Sequence, residues 1–457
     1  MMLPGVLSLL PLWALGFAAQ RALGIRQRGA RGVVLDYVIG YLALGVMGSI
    51  SVLLGAAPPL WWIYALVLVA SAIAWMRRAP VASALAGGSL SPQHHDVYVR
   101  VIAGATIMVL LFLVGTALTD RLIWDGWAIW TLRARILFFE NGLPPDAFLK
   151  PGPYEFAHPE YPLALPLLDW WMFRHAGASL PALASFAGSL WIVALALLVW
   201  THLKARVAPM IASLAVLGLV LFRPITEYAV GGTADVIIAV AMLGVVIELT
   251  SAEEASAAAS VRAGCFLALA VLSKNEGFAL AIIAVFSAAV IQPLGGFRAR
   301  VIAAFAIPVA MGGAWYLVTR TWGLDVEQVG GLPPVASLPE RVMTITGAFS
   351  RLASYRSWPP IFLLALLGAF SAARSSNRTD RFGWVLVVSY LLVLAGVYLS
   401  TSQDLVWLLR TSLERVVSHA VPALLVLSVC AIFPAHPAAG AANSRSLSPS
   451  FRSAPGE

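Results

Sequence analysis

Charged side chains are scarce in this chain of 457 residues, and several lie at the ends of long apolar runs. Asp125 follows a run that ends near residue 118, and Asp120 lies about one helical turn earlier. Lys274, Arg223 and Arg415 lie beside other apolar runs. A carboxylate can accept a proton during a reaction, and lysine or arginine can hold a phosphate group. These residue types predict proton-transfer and phosphate-binding chemistry close to a membrane surface.

The composition requires a membrane around most of the chain. Hydrophobic residues make up 60% of the sequence and charged residues only 11%, whereas an average soluble domain has about 25% charged residues. Apolar runs long enough to cross a bilayer, about 20 residues each, recur from Leu3 to Phe433. Transmembrane strands would alternate in short segments instead. The sequence therefore predicts an all-α, polytopic transmembrane bundle in contact with the lipid bilayer.

The net charge of +8 does not indicate nucleic-acid binding. The arginines lie in short connections between apolar runs, and no dense basic stripe with interleaved aromatic residues occurs. The two cysteines, Cys265 and Cys430, both lie inside apolar runs. They are typical of buried small hydrophobic residues, and no disulfide framework is implied.

The basic connections predict the orientation, because cytoplasmic loops collect lysine and arginine. Arginines follow the first apolar run at 21–31 and the third at 77–78, so both connections are predicted to be cytoplasmic. The segment 162–176 is short and is interrupted by charged residues, which favours a helix that does not cross. With that choice every later basic connection is cytoplasmic, and about 13 crossings result. The tail is then cytoplasmic, and 119–179 is the first external loop.

This threading divides the chain into four parts. Residues 1–98 form an N-terminal three-helix membrane segment with a cytoplasmic linker, and 99–318 form a membrane core that carries the external loop. Residues 319–434 form a C-terminal membrane region with further external loops. The tail, 435–457, is rich in Ala, Ser, Pro and Arg and is predicted to be disordered.

The first external loop carries a predicted interfacial helix. After Asp125, apolar residues recur at helical spacing up to Phe139, and Asn141–Gly142 is typical of a helix end. Asp125 could alternatively only cap this helix, since aspartate favours that position. A proline-rich stretch follows and ends in the motif His158-Pro159-Glu160-Tyr161-Pro162.

These features resemble the GT-C superfamily of membrane glycosyltransferases, nearest to the branch that holds the protein O-mannosyltransferases and the aminoarabinose transferases. Asp125 matches the acidic residue after the exiting helix, 127–140 the surface helix, and 158–162 the His/Pro motif. Further on, residues 232–235 match the acidic residue with which a transmembrane helix of this family begins. Residues 273–277 match the family's turn that contains lysine and glycine. The resemblance covers about residues 100 to 300. One departure is that Gly126, and not a second acidic residue, follows Asp125.

The resemblance implies transfer of a sugar from a polyprenyl-phosphate donor to an unidentified acceptor on the non-cytoplasmic face, in a bacterial inner membrane. In that reaction Asp125 would be the general base, with Asp120 as the alternative. Lys274, Arg223 and Arg415 would bind the donor phosphate. The implied substrate-binding residues are His158, Glu160, Tyr161, Asp235 and Glu276. No cofactor is certain; a divalent metal stays open, although the sequence shows no ligand cluster beyond scattered carboxylates.

Other interpretations compete with this one. A membrane transporter would also have many helices and a polar cavity, although no inverted halves are visible in the sequence. A polymerase or ligase of lipid-linked glycans is the nearest alternative among enzymes. At the level of single residues, His158 is more typical of a structural partner in a proline-rich turn than of a metal ligand. The tryptophans of the first external loop are more typical of an interfacial aromatic belt than of a surface on which a sugar stacks.

Overall fold

The computed structural model describes residues 2–27, 29–77, 97–144, 148, 152, 154–250, 256–291, 296–324, 337–374 and 378–434. The predictions for the cytoplasmic linker up to residue 96 and for the tail 435–457 concern residues outside these ranges.

Every regular element within the described ranges is a helix, as expected where lipid cannot hydrogen-bond the backbone. The first ten α-helices are α1 Met2–Leu7, α2 Leu9–Leu23, α3 Gly29–Leu53, α4 Trp61–Met76, α5 Val97–Ala117, α6 Leu132–Phe139, α7 Ala164–Ala176, α8 Pro181–Leu203, α9 Pro209–Leu221 and α10 Arg223–Val230. A π-helical turn, Gly126–Thr131, leads directly into α6, and a 3-10 turn covers Glu155–Ala157.

The second half of the chain continues in the same way. Its helices are α11 Asp235–Thr250, α12 Ala257–Ser273, α13 Asn275–Ile291, α14 Gly296–Thr321, α15 Leu338–Ala353, α16 Trp358–Ala373, α17 Arg378–Ser400, α18 Leu405–Ser418 and α19 Val421–Ile432. The helix α11 lies at the centre, with every one of its residues buried.

The long apolar helices make this an integral membrane protein. Six helical segments of the described chain are long and apolar enough to cross a bilayer: Met2–Leu23, Gly29–Leu53, Val97–Ala117, Pro181–Leu203, Arg298–Thr321 and Arg381–Ser400. Three pairs of helices pass the same test only together, and each pair is bent, by 55° between α9 and α10, 104° between α15 and α16, and 46° between α18 and α19. If each pair is one span, the number is nine. The 13 crossings expected from the sequence stay a prediction.

The segment expected not to cross forms α7, which has 13 residues. At 1.5 Å per residue this helix is about 20 Å long, shorter than the roughly 30 Å hydrocarbon core. It packs against α1, α3, α6 and α8, and Trp170, Trp171 and Phe173 are at most 1% exposed. Asp169 lies in its middle, and burial raises the pKa of this carboxyl well above its usual value.

Basic connections meet at one end of the bundle. Arg77 donates a 2.6 Å hydrogen bond to the carbonyl of Ala22, which joins the ends of α2 and α4. Arg31 lies within hydrogen-bonding distance of Thr201 and His202 at the end of α8. These contacts place the connections that follow α2, α4 and α8 at a common end of the bundle, the arrangement expected from their basic residues. The polar residues described next lie at the opposite helix ends.

Candidate functional site

Five of the predicted site residues meet in one polar cluster, each delivered by a different part of the chain. Asp235 is the first residue of α11, Lys274 ends α12, and Glu276 lies in the first turn of α13. Arg415 comes from α18, and Asp125 directly precedes the π-helical turn. Because helix ends converge here, side chains separated by up to 290 positions become neighbours.

Asp235 is the centre of this cluster. Its Oδ1 lies 2.8 Å from Lys274 Nζ, 2.9 Å from His419 Nε2 and 3.6 Å from Arg415 Nε. The Lys274 ammonium also contacts Glu276 Oε1 at 2.8 Å. The side chains of Asp235 and Lys274 are each 2% exposed. A buried charge of this kind requires paired neighbours, and the cluster supplies them.

His419 links the cluster to α17. Its Nδ1 lies 2.8 Å from the hydroxyl of Tyr390, while its Nε2 faces Asp235. An ionised carboxylate only accepts hydrogen bonds, so Nε2–H donates to Asp235 and Nδ1 accepts from the tyrosine hydroxyl. Both His419 and Tyr390 are fully buried. The contact chain from Tyr390 to Asp235 therefore holds the carboxylate in a fixed orientation.

Arg415 and Asp125 form the accessible edge of the cluster. The Arg415 guanidinium pairs with Asp125 Oδ2, and the two side chains are 16% and 23% exposed. Lys274, by contrast, is enclosed by its two carboxylates. A ligand that approaches from outside thus meets Asp125 and Arg415 before the buried Lys274 and Asp235.

The backbone around Asp125 explains the glycine that follows it. A Cβ atom on Gly126 would overlap the carbonyl oxygen of Gly231, because the π-helical turn packs directly on the end of α10. Asp125 itself has helical backbone angles and makes no capping hydrogen bond. The alternative that Asp125 only caps the helix is therefore wrong, and a second acidic residue at 126 would not fit.

The His/Pro motif forms a second polar group, positioned by Arg133 of α6. The Arg133 guanidinium is buried and donates to the backbone carbonyls of Tyr161 at 2.6 Å and of Pro159 and Pro162 at 3.4 Å each. Burial lowers the pKa of Arg133 to about 10, and the charge of Glu160 opposes this shift. The side chain therefore stays protonated at neutral pH and holds the motif against α6.

Within this motif the side chains form a stacked ladder. The rings of His158 and Tyr161 stack with centroids 4.8 Å apart, and Tyr161 stacks in turn on Trp130 at 5.5 Å. His158 Nδ1 lies 2.9 Å from Glu160 Oε1. These contacts agree with the structural interpretation of His158, and Glu160 also lines a neighbouring groove.

That groove connects the two polar groups. It has a volume of about 580 Å³ and lies between α13 and α14. Glu160 and Asn275 line its polar end, and Phe278, Ile282 and Trp315 line its apolar part. The indole of Trp315 donates to the Glu160 carbonyl at 2.8 Å. Since Asn275 lies between Lys274 and Glu276 in the chain, the groove ends beside the charge cluster.

Two predicted site residues lie apart from these groups. Arg223 begins α10, is exposed, and pairs with Glu227 at 2.7 Å. Asp120 is exposed on the connection after α5, where its φ of 59° is in the left-handed region. Of the two aspartates left open as the base, Asp125 is the one inside the cluster.

Sequence reasoning missed His419, Tyr390 and the role of Arg133. His419 follows Arg415 by four positions, the spacing that places two side chains on one helical face, and this signal was available. Tyr390 lies in an apolar run without any local signal. For metals, no group of three or more His, Cys, Asp or Glu side chains with a suitable arrangement occurs in the part of the chain that the structure describes.

Comparisons of the chain with protein-family models, with curated proteins and with solved structures find no match.

Proposed function

We propose that this protein is a GT-C-type glycosyltransferase that moves a sugar from a polyprenyl-phosphate donor to an acceptor at the non-cytoplasmic face of the membrane. The observation that carries the proposal is the pairing of Asp125 with Arg415 at the accessible edge of a buried charge cluster. A carboxylate and a guanidinium side by side supply a proton acceptor and a phosphate ligand within one site.

The pairing suggests how substrate binding prepares the base. While Arg415 holds Asp125, the guanidinium orients the carboxylate and occupies one of its oxygen atoms. A donor phosphate that competes for the guanidinium would weaken this hold. Asp125 would then accept the acceptor's proton as the acceptor attacks the anomeric carbon, while Arg415 stabilises the leaving phosphate.

The buried members of the cluster fit a positioning role in this mechanism. The ammonium of Lys274 lies between Asp235 and Glu276 and its side chain is 2% exposed, so a donor phosphate approaching from outside would reach Arg415 first. Asp235 in turn contacts Arg415 at 3.6 Å. Lys274 and His419 would therefore act through Asp235, by holding it where it orients Arg415. This assigns Arg415, rather than Lys274 or the distant Arg223, to the donor phosphate.

The groove between α13 and α14 supplies a place for the sugar or the acceptor. Its polar end carries Glu160 and Asn275, which can hydrogen-bond hydroxyl groups, and Trp315 provides an aromatic face. The amide nitrogen Nδ2 of Asn275 is buried and makes no hydrogen bond to the described residues. An oxygen atom of a bound substrate would satisfy it.

The remaining parts of the proposal concern the surroundings. The chain would cross a bacterial inner membrane 13 times, with the basic connections in the cytoplasm and the charge cluster on the periplasmic side. No metal is assigned to the site, and a divalent cation stays open as an additional phosphate partner.

Lipid analysis of a deletion strain tests this function most directly. Without the transferase, its polyprenyl-phosphate sugar should accumulate, and re-expression of the wild-type chain should remove it. The purified protein should transfer that sugar from the isolated lipid in detergent. An unchanged lipid profile together with no transfer would refute the proposal.

The same lipids separate the main alternatives. A glycan polymerase or ligase would accumulate a lipid-linked oligosaccharide instead of a single sugar. A transporter is favoured by one observation, the buried carboxyl of Asp169, whose oxygen atoms make no hydrogen bond to the described residues. Substrate uptake by proteoliposomes that is abolished by Asp169→Asn, but not by Asp125→Asn, would support transport.

A further inference from the structure

A second groove lies on the other side of α18, between this helix and α15. Its volume is about 430 Å³. The apolar side chains of Ala348, Leu352, Leu409 and Leu413 form its floor, and two arginines, Arg351 and Arg410, lie along it.

The two helices that form this groove lie at one end of the bundle. Each is bent against the helix that follows it, α15 by 104° and α18 by 46°. Arg341 of α15 donates a 2.7 Å hydrogen bond to the carbonyl of Thr401, which follows α17, so α15 lies at the same end as the charge cluster. Met343 and Trp407 on these helices are 69% and 57% exposed. Amphipathic helices with exposed apolar side chains are typical of the boundary between bilayer and water.

The groove has an excess of positive charge. Arg351 and Arg410 are both exposed, and neither side chain makes a hydrogen bond or ion pair with any other described residue. The one acidic side chain in the lining, Glu414, already accepts a 2.9 Å hydrogen bond from the indole of Trp358. Two free guanidinium groups above an apolar floor are complementary to an anionic headgroup on a hydrocarbon chain.

We infer that the groove between α15 and α18 binds the phosphate end of a polyprenyl phosphate, with Arg351 and Arg410 as phosphate ligands and the first isoprenoid units on the apolar floor. The choice of a polyprenyl chain rests on the proposed function. The helix α18 presents Arg410 and Glu414 to the groove and Arg415 to the carboxylates. A phosphate held by Arg410 therefore lies on a different face of α18 from the pair formed by Arg415 and Asp125, so the groove holds the polyprenyl phosphate at a stage separate from sugar transfer at Arg415.

The test is direct lipid binding, without any turnover. Full-length protein, purified in detergent, is mixed with a polyprenyl monophosphate that carries no sugar, and the complex is measured by native mass spectrometry. The variants are R351Q, R410Q and the double substitution. R374Q is the matched control, because Arg374 is exposed at the end of α16, lies over the ring of Phe370 at 4.0 Å, and does not line the groove. Phosphatidylglycerol and inorganic phosphate serve as competing anions.

The expected result is about 10-fold weaker binding for each groove variant and a larger loss for the double variant, since a charge-assisted hydrogen bond to phosphate has this magnitude. R374Q should bind like the wild type. A348F, which fills the floor without changing charge, should also weaken binding. Equal binding by the wild type and the double variant overturns the inference. So does displacement of the polyprenyl phosphate by an equal concentration of phosphatidylglycerol or of inorganic phosphate.

Failure of this inference is distinguishable from failure of the proposed function. If sugar transfer depends on Asp125 while R351Q and R410Q bind lipid normally, the function holds and the groove assignment is wrong. If lipid binding depends on both arginines but no transfer occurs with any donor, the groove assignment holds and the proposed enzyme activity is wrong.

Discussion

Lys274 and Asp235 form an ion pair in which Nζ and Oδ1 are 2.8 Å apart and both side chains are 2% exposed. The pair joins the end of α12 to the start of α11. Its burial makes both residues structural partners as well as members of the candidate site.

Substitution of Lys274 by Met should therefore lower stability. The change removes a positive charge that compensates the buried carboxylate of Asp235. Removal of one partner from a buried ion pair lowers the free energy of unfolding by about 3–5 kcal/mol. Thermal unfolding of purified protein in detergent measures the loss, with Arg356→Gln as the control for loss of a positive charge at the surface. A Lys274→Met protein that unfolds with the wild type but loses donor affinity would show that Lys274 binds the phosphate directly.

Gly126 should not tolerate a side chain. Gly126→Ala would force a methyl group against the Gly231 carbonyl, and overpacking of this kind costs about 1–3 kcal/mol. Gly115→Ala in α5 is the control, because a Cβ there has no neighbouring atom within 4 Å. It should be neutral or slightly stabilising, since alanine favours a helix by about 1 kcal/mol over glycine. Equal unfolding temperatures of the two variants would contradict the close approach.

Asp169 should make the stability of the protein depend on pH. Burial raises the pKa of its carboxyl well above the ordinary value of 3.8, so the folded state binds a proton that the unfolded state has released. Stability from this group is fully present below pH 3.8 and decreases as the pH rises toward the raised value. Asp169→Asn cannot titrate. The variant should match the wild type near pH 4 and become relatively more stable at neutral pH, and a constant difference would exclude the shift.

The orientation of the bundle can be tested at two exposed connections. With Cys265 and Cys430 replaced by alanine, Ser402→Cys should react with an impermeant thiol reagent in intact cells, and Ala208→Cys should react only after permeabilisation. Ser402 lies at the helix ends that carry the charge cluster, and Ala208 lies beside the basic residues that follow α8. The reverse pattern would place the cluster in the cytoplasm.

The sequence predicted the elements better than their relative placement. The long crossings were visible as apolar runs; for example, the run expected at about 100–118 is the helix Val97–Ala117. The bends between paired helices were not visible, because bending depends on which neighbours each half contacts. The expected surface helix exists, but Trp130 and Arg133 on it are buried against other parts of the chain. These side chains are buried by contacts with distant parts of the chain, and the periodicity of one helix does not reveal such contacts.

The sequence predicted the acidic and basic members of the candidate site, but it did not predict which side chains contact each other. Asp125, Asp235, Lys274, Glu276 and Arg415 each stood at the end of an apolar run, and such positions at one membrane face can converge. Which cation would pair with which carboxylate could not be inferred from the chain. Asp120 also stayed an alternative to Asp125 as the base, since the two differ by about one helical turn, whereas the structure places Asp125 against Arg415 and Asp120 outside the cluster.

Asp125→Asn tests that distinction. Asparagine keeps the size of the side chain and can still hydrogen-bond Arg415, but it is no longer a base. If Asp125 accepts the proton, sugar transfer should fall by about 10² to 10⁴, with little change in the unfolding temperature. Arg415→Lys should keep the positive charge but lose the paired geometry of the guanidinium, and should mainly weaken the use of donor at low concentration.

The matched control is Asp120→Asn, a substitution of the same chemistry at an exposed position outside the cluster. Transfer rates are measured with purified proteins at equal folded amounts, as judged by gel filtration, at saturating and at limiting donor. Asp120→Asn should transfer sugar at the wild-type rate. Normal transfer by Asp125→Asn with loss in Asp120→Asn would assign the base to Asp120. Normal transfer by both variants would remove the general-base role from this loop, because neither carboxylate would then be needed to take the acceptor's proton.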